Sequence, residues 1–149
     1  MKTYTKKEIN YLIKRLENRT LPKMEWSHEA HLVVAIWYCF NYDFDSALNS
    51  FRRIVKKYNE SVGTHNTDSG GYHETITKFW FLVANKFLKN QESKSISEIC
   101  NAFINADEGK RNYPMNFYSK PHLFSVRARR NWLEPDLNKL NKSAVKELL

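Results

Sequence analysis

The run Leu32 to Phe40, Leu-Val-Val-Ala-Ile-Trp-Tyr-Cys-Phe, contains no charged side chain and no polar stripe at helical spacing. A helix built on it has to be covered on every side, so it belongs at the centre of a bundle with other helices packed around it. Crossing a bilayer takes about 20 apolar residues, and this run falls well short. Ser27 stands before it as an N-cap, and the helix is expected over 28–42.

The flanking sequence supplies the surrounding helices. Thr5-Lys6-Lys7-Glu8 has the form of a capping box and predicts a helix over 6–18, ended by Leu21 and Pro22. Asp43 caps a third helix whose Phe44, Ala47, Leu48, Phe51, Ile54, Val55 and Tyr58 keep to one face. Three of the four glycines fall in 59–71, which reads as a mobile loop. A fourth helix is expected over 72–88, with His73, Ile76, Trp80, Val83 and Phe87 on one stripe. Ser95-Ile96-Ser97-Glu98 repeats the capping box and opens a fifth. A loop over 107–116 and two short helix starts follow, before Pro135 ends the pattern. The chain therefore reads as one all-α domain over 1–149, a bundle of about five main helices plus short C-terminal helices, a size that a single core can support.

Charge and cysteine content narrow the partners. The formal net charge is +8, yet the basic residues lie along polar helix faces, among them Lys14, Arg15, Arg52, Arg53, Lys56, Lys57, Lys78 and Lys86. That distribution describes solvated surface, and nucleic acid is not the expected partner. By contrast, 24–51 contains no Lys or Arg and carries Glu25, Glu29, Asp43 and Asp45. Cys39 and Cys100 stand alone, without the spacing of a disulfide framework or a thiolate zinc site. The basic opening Met1 to Lys7 runs into no apolar signal segment. The expectation is a soluble cytoplasmic protein that makes no membrane contact. Its oligomeric state is left open.

The candidate site comes from the histidines. His28 and His31 are one helical turn apart, and Tyr72-His73-Glu74-Thr75 opens another helix. Short connections would set the second and fourth helices parallel, with both N-termini at one end of the bundle. His28, His31, His73 and Glu74 would then converge, and three imidazoles with a carboxylate suit Zn²⁺, Fe²⁺, Ni²⁺ or Mn²⁺ with a position left for water. Glu25, Glu29 and Glu74 would offset the positive helix ends. The spacing His28-Glu29-Ala30-His31 is one residue too short for the helical zinc-protease motif. On this reading a metal-bound water is the nucleophile, Glu74 is the general base, and Arg127, Arg130 and Tyr118 contact the substrate, giving a metal-dependent small-molecule hydrolase or a related enzyme. With the rings facing an open pocket, His73→Ala is expected to leave thermal stability nearly unchanged.

Two other readings fit the same residues. The helix N-termini could cradle a small anion under Arg127, Arg129 or Arg130, making the protein a noncatalytic binding module for a small anionic ligand or nucleic acid. His28 and His31 could also simply help cap their helix and satisfy buried carbonyls, a role that needs no ligand.

Three blocks stand out together: Trp26-Ser27-His28-Glu29-Ala30-His31-Leu32, Tyr72-His73-Glu74-Thr75-Ile76-Thr77, and the stretch from Tyr118-Ser119 through Ala128-Arg129 to Pro135-Asp136. In these the chain resembles a family of short, uncharacterised bacterial helical proteins. The resemblance implies that His28, His31, His73, Glu74 and Arg127 act together, without implying a reaction. The Gly63 to Gly71 loop is longer than is usual in that family.

Overall fold

The computed structural model describes residues 3–92 and 94–137. It contains α1 (Lys6–Glu17), α2 (His28–Asn41), α3 (Phe44–Ser61), α4 (Glu74–Lys89), α5 (Ile96–Asn105), α6 (Lys120–Leu123) and α7 (Val126–Arg130), with 3-10 turns at Lys23–Glu25, Asp107–Gly109 and Tyr113–Asn116. No strand occurs among the described residues, and the fold is an all-α single domain. No helix among them is long and apolar enough to cross a membrane. The first two residues of the basic opening lie outside the described residues.

The all-round apolar helix takes the central position. α2 packs against α1, α3, α4 and α5, and Leu32, Val33, Val34, Ala35 and Ile36 are fully buried. Tyr38 meets Phe51 and Trp26 meets Tyr58, so α3 runs antiparallel to α2. Phe81 of α4 then packs on Phe51, and Phe103 of α5 packs on Phe87. The two ends of α2 escape this cover: Glu29 and His31 are exposed in its first turn, and Phe40 is about half exposed in its last.

Helix starts follow local chemistry. Thr5, Ser27, Asp43, Ser95, Ser119 and Ser125 each accept a first-turn backbone N–H, and the capping boxes with Glu8 and Glu98 are both formed. α4 departs from this rule. It begins two residues later than its periodicity suggests, because His73 is its N-cap: Nδ1 accepts from the Ile76 N–H at 3.1 Å.

Three ties place the segments around the start of α2 and α4. The 62–73 loop, which takes in most of the 59–71 stretch expected to be mobile, is held by Asn66. Its amide accepts from Tyr72 N (2.9 Å) and Asn59 Nδ2 (3.1 Å) and donates to Lys56 O (2.9 Å), while its backbone N–H donates to Glu60 Oε2 (2.8 Å). Gly71 sits at φ +76°, where a Cβ would meet His65 O at 2.6 Å, so only glycine fits this closure. The 107–116 stretch, read as loop, folds back as two 3-10 turns. A Cβ on Gly109 would lie 2.1 Å from Phe103 O, so the turn presses directly on the end of α5. Finally, residues 131–137 are fastened onto α4: Thr75 Oγ1 donates to Asn131 O at 2.6 Å and accepts from Leu133 N at 3.1 Å, and Tyr118 Oη donates to Leu133 O at 2.6 Å.

Candidate functional site

The beginnings of α2 and α4 border a cleft with two chambers. One, of about 430 Å³, lies between α3, the 62–73 loop and α7, with Lys23, Tyr72, Thr77 and Arg129 in its wall. The other, of about 470 Å³, lies toward the 107–116 turns and α6, with His28, Trp80, Arg111, Met115 and Phe124 in its wall. Trp26, His31 and Ile76 line both. These volumes are in the range of small-molecule sites.

The three histidines come to this end of the bundle, but their nitrogens are differently employed. His28 donates from Nε2 to Gly109 O at 2.8 Å, and Trp80 meets its ring edge-on at 5.3 Å. A carbonyl only accepts, so Nε2 carries a proton, and Nδ1 makes no hydrogen bond among the described residues. His31 donates from Nδ1 to Ser27 O at 2.7 Å, which leaves a lone pair on Nε2, and its ring stacks on Trp26 at 3.7 Å. His73 donates from Nε2 to Leu123 O at 2.8 Å while Nδ1 accepts from Ile76, so both of its nitrogens are used. It is 7% exposed and serves as a structural cap and strut.

Of these three histidines, then, at most two ring nitrogens are available to a ligand. No group of three or more His, Cys, Asp or Glu side chains among them is arranged to hold a metal ion. The expected convergence on Zn²⁺, Fe²⁺, Ni²⁺ or Mn²⁺ lacks its third imidazole and its carboxylate. Glu74 turns away from the histidines to α3, where Arg52 Nε donates to Oε1 at 3.0 Å, Arg52 Nη2 pairs with Oε2, and Tyr72 Oη donates to Oε1 at 2.6 Å. A carboxylate so saturated is not placed as a general base. Glu25 and Glu29 face a separate cavity of about 550 Å³ on the α1 side, beside Glu8 and Arg15.

The expected substrate contacts are also redistributed. Tyr118 is buried at 1% exposure with its hydroxyl on Leu133 O, and it lines neither chamber. Arg130 grips Asp68 of the 62–73 loop, Nε to Oδ1 at 2.7 Å and Nη2 to Oδ2 at 2.5 Å. Arg127 is exposed and lines neither chamber. Arg129 does reach the cleft, where Nη1 donates to Gly71 O (3.0 Å) and Tyr72 O (3.3 Å). Arg111 was not legible as a site residue, since it sits in a stretch without periodicity. It is exposed, lines the second chamber and has no hydrogen-bond or ion-pair partner among the described residues.

Electrostatically the cleft is one-sided. Lys23, Arg111 and Arg129 line it and no Asp or Glu does. The starts of α2 and α4 add roughly half a positive charge each. The surrounding protein pushes the His31 pKa down to about 4, and His28 and Arg111 press in the same direction, against the Ser27 carbonyl that raises it. The imidazole is nevertheless open to solvent, because it stands on the wall of a cavity. Water there moderates the shift without reversing it, and the ring is neutral at pH 7. Burial lowers the His73 pKa as well, with Arg129 adding to the effect. A divalent cation entering this cleft meets Lys23, Arg129 or Arg111 in the lining and no carboxylate to offset its charge.

Comparison with protein-family models, with curated proteins and with solved structures finds no match to this chain.

Proposed function

We propose that the protein binds a small organic anion in the two-chambered cleft, and that His31 is the polar group that meets it. The observation that carries this reading is the lining itself: three cations, none of them with a carboxylate partner among the described residues, and no acidic side chain. An anion there is drawn by the cations and by both helix ends. His31 offers a neutral imidazole in a fixed tautomer, with Nδ1 anchored on Ser27 O. It can accept a hydrogen bond from the ligand, and in an enzyme it would be the group placed to take a proton. The metal-dependent reading has less support, because Glu74 and His73 are committed to Arg52 and Leu123.

Thermal shift at constant ionic strength tests this with hexanoate, its neutral counterpart hexan-1-ol, and ZnCl₂. Hexanoate is expected to raise the melting temperature more than the alcohol, and Arg111→Gln is expected to reduce the effect. Stoichiometric zinc binding that disappears in both His28→Ala and His31→Ala would restore the metal site and remove the anion reading.

A further inference from the structure

Resting on the anion reading above, we infer that the ligand is an aromatic carboxylate, with its ring in the second chamber and its carboxylate on Arg111. The walls of that chamber are the reason. Trp26, Trp80, Phe124, Met115, Pro114, Leu123 and Ile76 give it an apolar, mostly flat-sided interior of about 470 Å³, with a single charged group, Arg111, in its lining. Phe124 is 57% exposed and makes no ring contact among the described residues. An exposed aromatic beside an apolar cavity is surface that a ligand ring would cover, and offset or edge-on ring packing favours a planar partner over an alkyl chain.

The charge pattern specifies the anionic end. A lone, unpartnered guanidinium matches one planar carboxylate through a two-point fork. A phosphate, with more acceptor oxygens and more charge, calls for further donors that this chamber does not supply, since Lys23 and Arg129 line the other one. His31 Nε2 then stands as an acceptor for an N–H or O–H on the ring, its Nδ1 proton being held by Ser27 O.

Isothermal titration with indole-3-acetate, indole-3-ethanol and hexanoate separates the parts. Indole-3-acetate is expected to bind about tenfold more tightly than either of the others, since each of them forgoes either the charge or the ring burial. Arg111→Gln is expected to lower its affinity to that of indole-3-ethanol. Because Arg111 is exposed, the variant should keep its fold, which its melting curve will verify. Hexanoate binding as tightly as indole-3-acetate would overturn the aromatic assignment while leaving the anion reading intact. Equal binding of indole-3-ethanol and indole-3-acetate, an unaffected Arg111→Gln, or no binding of any of the three would overturn both.

Discussion

His73 illustrates how one residue type can stand at the right place for a reason different from the expected one. Its ring closes the first turn of α4 on one nitrogen and holds the Leu123 carbonyl on the other. Replacing it by Ala removes a cap and orphans a buried carbonyl, so His73→Ala should cost about 1 to 3 kcal/mol in urea denaturation, with or without chelator. An unchanged unfolding midpoint would show that the ring is not structural. The expectation of a nearly neutral substitution is therefore reversed. The sequence correctly brought His28, His31 and His73 to one end of the bundle, but it could not assign their nitrogens. The carbonyls that fix His28 and His73 lie far along the chain, 81 and 50 residues away, whereas that of His31 is on Ser27, one turn back. Glu74 was misassigned for the same reason: its partner Arg52 is on another helix, and nothing in either local pattern couples the two.

At the scale of elements, legibility tracks how local the governing interaction is. The starts of α1, α2, α3 and α5 were readable because each depends on a Ser, Thr or Asp and an N–H within the next turn. The α4 start was not, since histidine is no common cap and its role emerges only with the Leu123 strut. The 107–116 stretch was read as loop because its order comes from close backbone approach, which leaves no periodic trace. Gly109 is its pivot: a methyl group there would run into the Phe103 carbonyl and press on Leu32. Gly109→Ala should destabilise by about 1 to 3 kcal/mol, the usual cost of overpacking, and should free His28 from its carbonyl. Chemical denaturation measures the first effect and the His28 ring nitrogen shifts the second. A variant as stable as wild type, with His28 still a single tautomer, would show that the turn tolerates displacement.

The whole molecule separates charge around the opening of α2. Glu8, Glu25 and Glu29 line the cavity on the α1 side, whereas Lys23, Arg111 and Arg129 line the cleft on the α4 side. Neutral His31 and His73 within the basic half make the fold sensitive to acid. Their folded pKa values lie below the ordinary imidazole value of 6.5, so the unfolded chain takes up protons first as pH falls. The contribution of His31 is present above about pH 6.5 and is lost toward pH 4, and that of His73 falls in the same direction. Melting temperature should decline between pH 7 and pH 5, above the range where carboxylates titrate, and the decline should be shallower in a His31→Gln, His73→Gln double variant. A flat profile over that window would contradict the neutral assignment of both rings. The same region also has a history in time. α2 and α4 can pair once residue 89 has emerged from the ribosome, but the Leu123 carbonyl under His73, the Arg129 side chain across Gly71, and the Asn131 and Leu133 contacts on Thr75 are translated later. At about 5 to 20 residues per second, they arrive a few seconds later. Until then the His73 ring lacks its Leu123 partner and the cleft lacks Arg129, so ligand competence waits for the segment after α5.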